Sequence, residues 1–218
     1  PLCLLVKIAP AAWPLLIPMF LLFSVATALA ALVSAPFAIA VAIVAAVFFA
    51  WSVWFFRDPD RTTPNGPNLV ISPADGKVIK IDEAPLPKEV RDDAPGSTTQ
   101  PMVRIAIFLN LFNVHVNRVP ASGTITRTSY VPGKFLNASL DKASEHNERS
   151  AAVMVDAAGR PIGFVQIAGL VARRIVNGLK VGQAVTSGNR FGLIRFGSRA
   201  EVYVPRGTAI AVKVGDHV

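Results

Sequence analysis

Hydrophobic positions along the chain follow two regimes. From about Ala11 to Val33, and again from about Phe37 to Phe56, the residues are apolar with no polar face, and Ser34-Ala35-Pro36 breaks the run. Roughly 20 apolar residues rising 1.5 Å each cross a ~30 Å hydrocarbon layer, so the pattern predicts two membrane helices joined as a hairpin. A soluble core helix keeps polar residues on one side. A secretory leader has a single short apolar region behind a basic start; here Lys7 stands alone in front of a doubled run. Whether the pair spans fully or re-enters from one side is open at this level. Beyond Arg57 the pattern changes to short alternating or β-branched runs punctuated by Gly and Pro. These predict strands over 69–73, 77–82, 103–109, 115–121, 123–131, 151–157, 161–169, 179–188, 191–197, 200–205 and 209–215. A helix is expected over 170–179 and a short one before Asn147, with an exposed loop from about Ala84 to Gln100. The expected fold is mainly β: a β-rich α+β domain, sandwich- or barrel-like, behind an N-terminal helical hairpin. The expected division is residues 1–56 for the hairpin and 57–218 for the domain.

Charge sharpens that division. No Asp, Glu, Lys or Arg occurs between Lys7 and Arg57, so the net charge of +8 belongs almost wholly to the second part. A hairpin puts Lys7 and Arg57 on one side, which the positive-inside rule makes cytoplasmic, with Trp51, Trp54, Phe55 and Phe56 at the interface. The basic residues of the domain (Lys77, Lys80, Arg104, Arg118, Arg127, Lys134, Arg173, Arg174) are scattered, without the interleaved aromatics that stack bases. An anionic membrane surface is therefore expected as partner rather than nucleic acid. Cys3 is the only cysteine, which excludes an intrachain disulfide and a multi-cysteine metal site and suits a reducing compartment. The chain begins on Pro1 rather than Met, so a few preceding residues are expected.

Candidate chemistry is sparse. No zinc-type spacing, phosphate-cradling loop or G-x-S-x-G elbow is present, so no metal is expected. Taken singly, His115 reads as a packed histidine, Asp75 as a turn aspartate before Gly76, and Gly197-Ser198 as a turn between two strands. Their surroundings change the reading. FFRDPDR (55–61), ISPADGKV (71–78), FLNLFNVHVNRVPASG (108–123), GKFLNASLDKASEHNER (133–149) and RFGLIRFGSRAEVYVP (190–205) follow one another behind the apolar N-terminus. This ordered set, from about Trp54 to Pro205, resembles the phosphatidylserine decarboxylase family in its short form with two hydrophobic segments.

The resemblance implies a precursor that cuts itself between Gly197 and Ser198 into a β chain (1–197) and an α chain (198–218). Ser198 Oγ attacks the Gly197 carbonyl, where glycine leaves the carbon open. The resulting ester is eliminated to dehydroalanine, whose hydrolysis leaves a covalent pyruvoyl cofactor at position 198 and releases ammonia. His115 and Asp75 are implied as base and orienting partner, and His115 as the acid that protonates the substrate carbon after carbon dioxide leaves. The implied substrate is phosphatidylserine and the product phosphatidylethanolamine, with Arg57, Arg61 or Lys134 holding the phosphate. The implied location is the bacterial inner membrane, with the catalytic domain on its cytoplasmic face.

Four positions depart from the longer members. Their Leu-Gly-Ser-Thr is Phe196-Gly197-Ser198-Arg199 here, their second histidine is Arg118, and an aspartate is replaced by Asn113. Whether His115 serves both self-cleavage and decarboxylation is therefore open. A membrane-anchored serine peptidase, a tethered non-enzymatic β domain, and a decarboxylase of another serine-headed lipid are the alternatives. A homo-oligomer is neither indicated nor excluded.

Overall fold

The computed structural model describes residues 7–64, 66, 68–91, 100–136, 138, 146–170, 174–195 and 197–218. Cys3, the short helix expected before Asn147, residues 92–99 of the expected 84–100 loop, Arg173 and Phe196 lie outside these residues. The chain forms two compact units, Pro1–Asp60 and Arg61–Val218.

The first unit is the hairpin: α1 (Trp13–Ala31) and α2 (Ala35–Phe55), both long and apolar enough to cross a membrane. Ser34 caps α2, its Oγ accepting from the Phe37 N–H at 3.4 Å. The helices meet through aromatic pairs, Phe20 with Phe49 and Phe23 with Phe48. Ser24, Thr27 and Ser52 each turn their hydroxyls back to the carbonyl four residues earlier, which leaves no bare hydroxyl to solvate in hydrocarbon. The two ends of the hairpin are tied side by side, Ala9 N–H to Phe56 C=O at 2.9 Å and Asp58 N–H to Lys7 C=O at 2.7 Å.

The second unit is strand-rich, with two sheets that do not close into a barrel. Its strands are β1 (Lys77–Ala84), β2 (Met102–Leu109), β3 (Val116–Arg118), β4 (Gly123–Val131), β5 (Arg149–Asp156), β6 (Pro161–Ile167), β7 (Ile175–Asn177), β8 (Ala184–Val185), β9 (Arg190–Ile194) and β10 (Ser198–Val204). The large sheet runs β1-β2-β10-β6-β5-β4-β8 and the small one β3-β9-β7. Every strand pairing among the described residues is antiparallel. Ile125, Met154, Ile162, Phe164, Val202 and Val204 build a core on one face of the large sheet. Leu86, Val90, Ala151, Val153, Val165 and Tyr203 build another on the opposite face. Each such side chain contributes about 1.5–3 kcal/mol on burial.

Several expected elements take another form. The helix expected over 170–179 is replaced, where described, by β7, because β-branched Ile175 and Val176 pair with Ile194 and Leu193 of β9. Residues 69–73 and 209–215 form no strand. Val70 and Ile210 still pack against the first core, so their apolar spacing is satisfied by contact without a hydrogen-bonded ladder. The strand expected over 179–188 shrinks to the two residues of β8. Gly182 and Gly188, both in the left-handed region at φ 83° and 82°, turn the chain on either side of it.

Candidate active site

β10 carries the candidate Ser198 into the middle of the large sheet. Ser198 opens the strand opposite Leu109 of β2, and Arg199 is opposite Ile167 of β6. Gly197 precedes it at φ 60°, a conformation that disfavours any residue with a Cβ. Ser198 is fully buried, and its Oγ has no hydrogen-bond partner among the described residues.

Strand alternation places Ser198, Ala200, Val202 and Val204 on one face of the sheet. Register adds Gln166, opposite Ala200, and Ser150, opposite Gln166. The small sheet lies on this face: Gln166 Nε2 donates to Asn117 Oδ1 at 2.8 Å, and Asn177 Nδ2 to Ser150 Oγ at 2.9 Å. His115, fully buried, stands just before β3, and its carbonyl accepts from Ile194 N–H at 3.3 Å. Its Nδ1 is 3.0 Å from the Asn113 carbonyl oxygen. A carbonyl can only accept, so Nδ1 bears the proton and, in the neutral ring, Nε2 keeps the basic lone pair.

Asp75 arrives from a third direction. Its turn is pinned by Arg118 N–H to Pro73 C=O at 2.9 Å and by paired main-chain bonds between Gly76 and Val218. Ala74 packs on Leu109 and Ala200. The Asp75 turn and Ser198 thus meet at the β2–β10 corner, while His115 stands before β3 of the small sheet that lies on the same face. The side chains are not joined there as a triad: Asp75's carboxylate is taken by Arg61, and Ser198 Oγ bonds to neither His115 nor Asp75.

The cations expected at a phosphate are dispersed. Arg57 belongs to the hairpin unit and lies over the Trp54 ring at 3.8 Å. Arg61 holds Asp75. Lys134 lies beside Asn147 and Glu148, its N–H donating to His146 C=O at 2.7 Å.

Sequence reading missed Arg174 and Arg195. Arg195, three residues before Ser198, donates its N–H to Arg174 C=O at 3.3 Å. Burial, and then the neighbouring Arg174 charge, push the Arg195 guanidinium below its ordinary range. Also missed were Asn147, whose amide bonds Leu136 and Ala168, and the ion network of Arg199, Glu201 and Arg104. Alternation of polar with apolar residues records two faces of a strand but not which of them is covered.

The profile of the phosphatidylserine decarboxylase family matches residues 48–218. The chain belongs to that family. It is 49% identical over 202 residues to a phosphatidylserine decarboxylase proenzyme of Syntrophus aciditrophicus, covering 93% of this chain and 90% of that one. A proenzyme of the same description from Paramagnetospirillum magneticum is 55% identical over 174 residues, 79% of this chain and 70% of the relative. One from Rickettsia rickettsii is 55% identical over 166 residues, 76% and 70%. Membership in the phosphatidylserine decarboxylase family makes the chain an enzyme, and each of these three relatives is described as a proenzyme.

Proposed function

We propose that the chain is a self-processing phosphatidylserine decarboxylase, cut between Gly197 and Ser198 and carrying a pyruvoyl group made from Ser198. The observation that carries this reading is the buried Ser198 hydroxyl without a partner, set directly after a left-handed glycine. Such a serine has its own preceding carbonyl within intramolecular reach, and glycine admits the conformation. The residues present fit the group: position 198 is enclosed, free of competing hydrogen bonds at Oγ, and held by neighbouring strands on both sides.

In self-cleavage Ser198 Oγ bonds to the Gly197 carbonyl carbon, the C–N bond breaks, and the hydroxyl proton passes to the freed amine. Removal of the Ser198 α-proton then expels the Gly197 carboxylate, and water replaces the nitrogen, which leaves as ammonia. His115 Nε2 is the base for these transfers, its ring oriented by the Nδ1–H bond to the Asn113 carbonyl. The pyruvoyl carbonyl supplies the electron sink that lets the substrate carboxyl depart as carbon dioxide. His115 then returns a proton to the substrate α-carbon.

Arg174 and Arg195 join Arg57, Arg61 and Lys134 as candidates for the lipid phosphate. The α chain stays in place after the cut because β10 is hydrogen-bonded between β2 and β6, and Asp216 and Val218 bond to the start of β1. The hairpin anchors the enzyme in the bilayer that holds its substrate, with the basic domain at the anionic cytoplasmic face.

Intact mass spectrometry of the membrane-folded chain tests this reading. Release of residues 198–218 with a blocked, borohydride-reducible N-terminus, absent in Ser198→Ala, is the expected result. A wild-type chain that stays whole while folded would overturn it.

A further inference from the structure

We infer that Gly169 is a positioning residue for self-cleavage, its bare Cα forming the cradle in which the scissile carbonyl lies. The inference rests on the self-processing reading above and adds a residue to it. β6 and β10 run antiparallel with Arg199 opposite Ile167. Carried two residues past the ends of the strands, that register sets Gly169 opposite Gly197. A Cβ built on Gly169 would lie 1.9 Å from the Gly197 carbonyl oxygen and 3.0 Å from its carbon, the two atoms that change bonding when Ser198 attacks. It would also be 3.3 Å from Ala138 Cβ. The atoms in the way are main chain, so no rotamer change makes room.

Nothing about Gly169 itself demands glycine. Its φ is not in the left-handed region, unlike that of Gly197, which has open space where a Cβ would be. The two glycines do different work: Gly197 adopts a backbone that other residues resist, and Gly169 makes room for the carbonyl that this backbone presents. Next to it, Ala168 N–H is held by Glu148 C=O at 2.9 Å and Ala168 C=O by Asn147 Nδ2 at 2.7 Å. The exit of β6 is therefore anchored, and a methyl on Gly169 would displace the scissile peptide rather than the cradle. A displacement on the order of 1 Å costs about 100-fold in a step that depends on near-attack geometry.

The test is Gly169→Ala beside wild type and Gly163→Ala, a change in the same strand that crowds the Leu86 side chain instead of a peptide bond. Cleavage is counted by mass spectrometry per folded, protease-resistant molecule, with and without neutral hydroxylamine. Hydroxylamine splits the serine ester, giving a Gly197 hydroxamate and a 198–218 fragment with a free serine amine, and leaves the amide intact. Gly169→Ala is expected to cleave about 100-fold more slowly and to yield no hydroxylamine fragment, because the acyl shift itself is blocked. Gly163→Ala is expected to cleave as wild type does. Wild-type cleavage of Gly169→Ala, a hydroxylamine-releasable ester in it, equal slowing in Gly163→Ala, or a Gly169→Ala chain with no folded fraction would each overturn the inference. A wild-type chain that never cleaves overturns instead the self-processing reading on which it rests.

Discussion

The two faces of β10 come from alternate residues of one strand and are built on opposite terms. One presents Ser198, Ala200, Val202 and Val204, with a hydroxyl that has no partner among the described residues. The other presents Arg199, Glu201 and Tyr203, equally buried but bonded to one another: Arg199 Nη2 is 2.6 Å from Glu201 Oε1, and Tyr203 Oη donates to Glu201 Oε2 at 2.6 Å. Arg104 links this group to Asp82 through two bonds of 2.8 and 2.6 Å. Burial, then the Glu201 charge, push the Tyr203 phenol well above its ordinary range. The Arg104 fork holds the Asp82 carboxyl below its own. The difference teaches that buried polarity in one strand can be held by ion pairs on one side and left as an unengaged hydroxyl, among the described residues, on the other.

The sharpest way to break the comparison is Ser198→Ala. It should abolish self-cleavage while leaving stability unchanged or raised by up to about 1 kcal/mol, since an unpartnered buried hydroxyl is removed. Mass spectrometry and thermal melts of the uncut chain check both halves. On the opposite face, Glu201→Ala in the Ser198→Ala background should cost about 3–5 kcal/mol in urea unfolding, because Arg199 loses a buried ionic partner.

Tyr203→Phe should cost about 1.5–3 kcal/mol, the range for a hydrogen bond to a charged group. The raised phenol pKa adds a signature: stability is full below the unfolded tyrosine value of about 10 and falls as pH rises above it. Melts at alkaline pH should show a loss that Tyr203→Phe reduces. The smallest effect belongs to Asp82, which is partly exposed. Its lowered pKa contributes stability above about pH 4 that is lost as pH falls through the folded value. Asp82→Asn should flatten that acid limb by no more than about 1 kcal/mol after solvent screening.

The hairpin was legible because hydropathy is a local property: a helix of apolar residues with no polar face declares its surroundings without reference to the rest of the chain. Most strands were legible for a similar reason, since alternation in 103–109 or 123–131 records two faces directly. The failures came where apolar spacing has more than one use. Residues 69–73 and 209–215 bury their side chains without pairing, and Ile175-Val176 were hidden in a run with helical spacing. At the site, Ser198, His115 and Asp75 stood out only through the ordered blocks around them, since each has an ordinary reading alone. Gly169 had no signal, because the atom that excludes its side chain comes from a residue 28 positions along the chain.

The sequence by itself determined the apolar hairpin, the strand-rich domain behind it and the Gly197-Ser198 pair, because composition, period and motif are written in neighbouring residues. Only the tertiary structure decided which face of β10 bears Ser198, that Arg199 and Glu201 are buried together, that Asp75 is held by Arg61, and that Gly169 lies against the Gly197 carbonyl. Those facts depend on strand register between segments far apart in the chain, and a shift of one residue would have exchanged the two faces.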